Sequence, residues 1–138
     1  MWWLFSLLSA FFAALTAIFA KIGIKGVDTD LATAIRTVVI LAVAWTIVFV
    51  KGSASTISTL TRQNFLFLIL SGVATGLSWI FYFKALQIGT VAQVAAVDKL
   101  SVALAIILSI FILGETPSPK MLLGVGLIVG GTLVLVFS

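Results

Sequence analysis

Thr90 to Leu113 reads TVAQVAAVDKLSVALAIILSIFIL, and this stretch decides the fold. Its only charged residues are Asp98 and Lys99. At about 1.5 Å of rise per residue, one helix of this length crosses the roughly 30 Å hydrocarbon core of a bilayer. Asp98 then lies about 5 Å from the centre of the run. An ionisable residue at that depth costs roughly 2.5–3.5 kcal/mol on insertion scales. Neighbouring side chains project about 100° apart on a helix, so the two are not expected to satisfy each other. Each is expected to need another partner: a second helix, a water-filled cavity or a substrate.

The rest of the chain agrees with a membrane setting. It has 138 residues, 62% hydrophobic and only 9% charged. A soluble domain carries roughly a quarter charged residues. The formal net charge is +4, but the eight basic residues are scattered along the links and helices, with no basic patch or helix face. Nucleic acid is therefore not an expected partner. Cysteine and histidine are both absent. That excludes disulfides, thiolate or imidazole metal sites and histidine acid/base chemistry. The four carboxylates, Asp28, Asp30, Asp98 and Glu115, assemble no hydrolytic constellation. No enzyme, metal site or cofactor is expected. The first twenty residues lack the basic start and cleavage site of a signal peptide and read as a membrane helix.

Five apolar segments are predicted as helices, over about 2–20, 31–50, 65–83, 90–113 and 121–137. Trp2 and Trp3 would anchor the first at the interface. Asp28, Thr29 or Asp30 would cap the second, Thr61 the third, and Gly89-Thr90 would stop one helix and cap the next. Gly114 to Lys120 separates the last two. The links are too short for a water-soluble domain. The fold class is therefore all-α: an integral membrane bundle of five transmembrane helices, residues 1–138 forming one domain.

Small or polar residues recur at helical spacing on four helices. They are Ser6, Ser9, Ala13, Thr16 and Ala20 on the first; Ser71, Thr75, Ser78 and Tyr82 on the third; Asp98, Ser101, Ala105 and Ser109 on the fourth; and Gly126 with Gly130 on the fifth. Beside the third-helix stripe run Gly72, Gly76, Trp79 and Phe83. Such stripes let helices pack closely in lipid. Those carrying Tyr82 and Asp98 have a second reading, as walls of a polar cavity.

Five crossings put the termini on opposite sides. Lys51, Arg62 and Lys120 then fall on the N-terminal side and Lys21, Lys25 and Lys84 on the other. Arg36 near the membrane edge tips this balance by only one. Lysine and arginine asymmetry normally sets orientation, so this chain is open to insertion both ways. Two copies, one inverted, would recreate the inverted-repeat plan of many transporters. A fixed topology imposed by a partner chain is the alternative. The same topology puts Arg36, Lys84, Asp98 and Lys99 towards one side, where an Arg36–Asp98 pair would offset much of the burial cost of both. Lys84 has a simpler expectation, snorkelling to the interface.

The run Leu70 to Gly89, with Tyr82 and Lys84 before its closing glycine, resembles the third helix of an EamA domain. Phe111-Ile112-Leu113-Gly114-Glu115, followed by the glycine-rich Gly124 to Gly131, resembles the same domain's Leu-Gly-Glu turn and last helix. That domain is the five-helix unit of the drug/metabolite transporter superfamily, and the likeness covers essentially the whole chain. It implies a solute carrier in a prokaryotic plasma (inner) membrane. Most members fuse two inverted units; a single unit matches half of such an inverted-repeat transporter and a homodimer. The resemblance gives Glu115 a structural role at a helix end. Many members carry a Glu-Pro or similar kinking pair midway along the fourth helix, where this chain has Asp98-Lys99. Without proline, no kink is expected there.

The leading expectation is a secondary transporter of a small solute, working by alternating access as a homodimer in the lipid bilayer, antiparallel if topology is dual. Its substrate- or ion-binding candidates are Asp98, Lys99, Arg36, Tyr82, Trp79 and Ser101. Asp98 is the candidate for proton coupling or cation pairing, since apolar surroundings raise a carboxyl pKa, although Arg36 or Lys99 nearby would pull it down. Arg36, Asp98 and Lys99 together carry one net positive charge, which also admits an anionic or zwitterionic solute. Two other readings stay open: a non-transporting subunit that stabilises another complex, and a lipid-carrier flippase.

Overall fold

The structure, a computed structural model, describes residues 1–137. Every regular element among the described residues is helical. α1 is Trp2–Gly23, α2 is Thr29–Val50 and α3 is Arg62–Ile88; a 3₁₀ segment, Ser53–Thr59, joins α2 to α3. The fourth span consists of α4 (Val91–Asp98), α5 (Leu100–Leu108) and a π-helical turn at Ser109–Leu113. α6 is Pro119–Val136. Five stretches are long and apolar enough to cross a membrane: Trp2–Gly23, Thr29–Val50, Arg62–Ile88, Val91–Leu113 and Pro119–Val136. The expected all-α membrane architecture is present.

Polar side chains fix the helix starts. The Asp28 carboxylate accepts from the N–H groups of Asp30 (3.0 Å) and Leu31 (2.9 Å), so Asp28 is the cap among the three candidates. Thr90 accepts from the Gln93 N–H and Ser118 from the Met121 N–H, with Pro119 in the first turn, where its missing N–H is no loss. Gly52 follows α2 and Gly114 follows the π-helical turn, at φ of 68° and 69°. These left-handed positions suit glycine. α3 outruns its predicted end near Lys84, because one lysine does not stop a helix and Gly89 does. At about 40 Å it exceeds the hydrocarbon thickness, which leaves polar residues at both ends.

The fourth span, Val91–Leu113, crosses as the sequence predicts, with one local departure. At Lys99 a single turn residue, still in right-handed helical backbone at φ −69° and ψ −12°, separates α4 from α5 without a proline. The Lys99 N–H is shared between the carbonyls of Ala95 (3.3 Å) and Ala96 (3.1 Å), and the Val102 N–H reaches back only three residues to Lys99 at 3.0 Å. The turn has tightened towards 3₁₀ geometry. A tertiary contact lies beside it: the buried Thr132 hydroxyl on α6 is 3.1 Å from the Ala96 carbonyl and 2.8 Å from that of Ile128.

The chain divides into two compact units. One comprises Met1–Lys21 and the chain from Ile88 onward. Within it α4 and α5 pack on α6, Ala17, Ala20, Ala103 and Thr132 are buried, and Lys21 Nζ donates to the Gly89 carbonyl at 2.7 Å. The other is Ile22–Gln87, whose buried residues are Ile24, Thr29, Thr33, Phe83 and Leu86. Here long side chains join α2 and α3. Lys84 pairs with Asp30 at 3.4 Å, and Gln87 Nε2 donates to the Val27 carbonyl at 3.2 Å.

Apolar side chains lie exposed along every span, Phe5, Phe81 and Leu127 among them. Hydrocarbon, not water, is the solvent that accommodates such surfaces. The glycine stripes meet no close neighbour within their own units. A Cβ added at Gly72, Gly76, Gly126 or Gly130 would meet nothing within 4 Å.

Candidate functional site

In the Ile22–Gln87 unit, the second and third spans meet around an arginine. Arg36 sits about 5 Å from the middle of α2 along its axis. Its guanidinium carbon lies 4.9 Å from the Trp79 ring centroid and 4.7 Å from that of Phe83. The two rings are four residues apart on α3, so they stand one above the other on the same helix face. Both distances suit cation–π attraction. Phe83 is fully buried and Trp79 half-buried, which keeps water from competing strongly at these rings. Tyr82, half-buried, packs edge-on against Phe83 at 6.1 Å.

Lys84, one residue on, does not simply snorkel: its ammonium is bound to Asp30 at the start of α2. Both partners are more than half exposed, so the pair contributes little energy. It joins the start of α2 to the end of α3.

In the other unit, Asp98 and Lys99 flank the break in the fourth span. Contrary to the sequence expectation, they bind each other, Lys99 Nζ lying 3.5 Å from Asp98 Oδ2. The projection argument assumed a regular helix and ignored side-chain length. Four methylenes let the lysine ammonium swing round to its neighbour, and the tightened turn alters the angle between the two. The Asp98 side chain is 39% exposed and that of Lys99 59%, so neither is sealed in a dry seam. Ser101, in the first turn of α5, is exposed.

The six candidates thus fall in two sets. Arg36, Trp79 and Tyr82 are brought together in one unit; Asp98, Lys99 and Ser101 lie in the other. Arg36 takes aromatic partners and Asp98 takes Lys99. Phe83 and Asp30 escaped the sequence reading as site members. Phe83 shared a stripe with Trp79, and that spacing was the available signal. Nothing in the local sequence linked Asp30 to Lys84, some fifty residues away. Among the described residues no group of histidine, cysteine, aspartate or glutamate is placed to hold a metal ion.

Residues 1–137 match the EamA-like transporter family. A protein of Sinorhizobium sp, described as an uncharacterized transporter in the cobO 3' region, is 48% identical over 134 residues, covering 97% of this chain and 95% of its own. No solved structure matches the chain.

Proposed function

From a chain that belongs to the EamA-like transporter family, we propose a secondary transporter that carries a small solute across a prokaryotic plasma membrane by alternating access. It works as a homodimer, antiparallel where topology is dual. One observation carries this reading beyond the family: the Asp98–Lys99 pair at the break in the fourth span. A charge pair inside a span is expensive in lipid and marks solute or ion pathways. Broken helices are the usual places where transporters hold solutes and coupling ions near the bilayer midplane.

In this mechanism Asp98 alternates between two states. Paired with Lys99, it is ionised and neutralised in place. When it takes a proton or meets a cation, Lys99 is released, and the solute site changes the side to which it opens. Within the Ile22–Gln87 unit Arg36, Trp79 and Tyr82 contribute to solute binding; Ser101, two residues from Lys99, contributes to ion binding in the other.

Flux into proteoliposomes under an imposed proton gradient tests the proposal. Wild-type protein should accumulate solute, and Asp98→Asn should fold and bind but lose gradient-driven uptake. If Asp98→Asn transports like wild type, the coupling role is wrong. If no solute moves, the non-transporting subunit reading replaces this one, and movement of a fluorescent lipid alone would indicate a flippase. Reporters fused to each terminus test topology: a signal from one orientation only removes the antiparallel dimer.

A further inference from the structure

Resting on the transport reading, we infer that the carried solute is a small organic carboxylate and that Arg36, held against Trp79 and Phe83, is the residue that binds it. The chain has four carboxylates. Asp28 caps α2 by accepting two backbone N–H groups. Asp30 is paired with Lys84, and Asp98 with Lys99. Glu115 is exposed in the link before α6. Among the described residues none of the four carboxylates pairs with the Arg36 guanidinium; its contacts are the rings of Trp79 and Phe83.

The rings supply attraction but no acceptor. A guanidinium carries five N–H donors and does not lose its proton in a protein. The rings also hold the head against α3, where an unrestrained arginine stem would carry it out to the interface. The result is a half-buried cation, held at the rings, whose hydrogen-bonding capacity remains available. A permanent aspartate partner would have locked it. A ligand that arrives and leaves supplies the counter-charge only while bound, which is what a carrier site requires.

The chemistry of the ligand follows from the fork. Planar guanidinium matches planar carboxylate with two parallel hydrogen bonds. One uncompensated charge calls for one negative charge. Half-buried Trp79 and Tyr82 offer an apolar wall for the solute's body. A lipid phosphate presents the same class of oxyanion, but it lies at the headgroup level. The experiment below separates that source from a free carboxylate.

The test uses the full chain in phosphatidylcholine nanodiscs, with Trp2, Trp3 and Trp45 replaced by Phe so that Trp79 alone fluoresces. Benzoate is the probe and benzamide its neutral match. Benzoate should change Trp79 emission saturably and benzamide should not. Arg36→Lys, which keeps charge but loses the fork, should weaken benzoate about tenfold, and Arg36→Gln should abolish the response. Far-UV circular dichroism and size-exclusion profiles establish folding; if Arg36→Gln does not fold, Arg36→Lys decides. Equal responses to benzoate and benzamide, or unchanged affinity in Arg36→Lys, overturn the inference. So does Arg36-dependent retention of phosphatidylglycerol in native mass spectrometry without a benzoate response, which would make the ligand a lipid phosphate. Binding is read without flux. Proteoliposomes that transport while benzoate fails to bind overturn this inference alone. Benzoate binding without flux of any solute overturns the transport reading alone.

Discussion

If Arg36 exists for a ligand and not for the fold, its removal should not weaken the protein. Arg36→Met keeps most of the stem and deletes the charge. An arginine near the middle of a span costs roughly 3 kcal/mol. Two cation–π contacts at 4.7 and 4.9 Å offset this, at about 1 kcal/mol each in a half-desolvated setting. The difference predicts that Arg36→Met is stabilised by about 1 kcal/mol, a roughly fivefold change in the folding equilibrium. Phe83→Leu keeps apolar volume at a fully buried position but removes one ring, and should cost about 1 kcal/mol in repacking and a similar amount in lost cation–π attraction. In the Phe83→Leu background, Arg36→Met should therefore gain about 2 kcal/mol, so the cycle closes with a coupling of about 1 kcal/mol. The assay is equilibrium unfolding in SDS from mixed micelles, followed by circular dichroism. A loss of more than about 2 kcal/mol in Arg36→Met would refute the reasoning, because it would make the arginine a strut that the fold depends on. Zero coupling would refute the aromatic contact itself.

Three further outcomes are expected. Thr132→Val keeps shape but removes the hydroxyl that reaches Ala96; the same SDS titration should show a loss of about 0.6 kcal/mol, and not above about 2. Asp28→Ala leaves the Asp30 and Leu31 N–H groups without their acceptor and should cost about 1 kcal/mol in thermal unfolding. Lys84→Glu puts like charges beside Asp30, yet both positions are more than half exposed, so the penalty should stay below about 1 kcal/mol and shrink as salt is added.

What the sequence made legible follows from how strong each local signal is. A membrane helix needs a long apolar run, and five such runs are unmistakable without any tertiary information. Caps are equally local, which is why Thr90 and the Asp28 group could be marked in advance. The tightened turn at Lys99 was hidden because no proline marks it and the hydroxyl beside it comes from 36 residues away on α6. The Asp98–Lys99 pair was misjudged for a related reason, since the rule applied to it holds for regular helix and short side chains. Arg36, Trp79 and Tyr82 were individually readable as chemistry-bearing residues inside spans. That two rings on α3 would take the guanidinium is a fact of tertiary contact, for which stripe spacing gives candidates but no partner. The glycine stripes are legible as a packing signal, yet within its own unit a Cβ at Gly72, Gly76, Gly126 or Gly130 meets nothing within 4 Å.

The shared amide at Lys99 has a bearing on how such a span can change shape. In oil, an ordinary helix resists bending because opening it strips a peptide group of its only acceptor. Here one N–H already divides itself between two oxygens, and a side chain from another helix covers one of them. Tilting the two halves redistributes bonds that are already split, so no bare peptide need meet hydrocarbon. The articulation is thus built into ordinary residues, and the acid and base that flank it ride on the pivot itself.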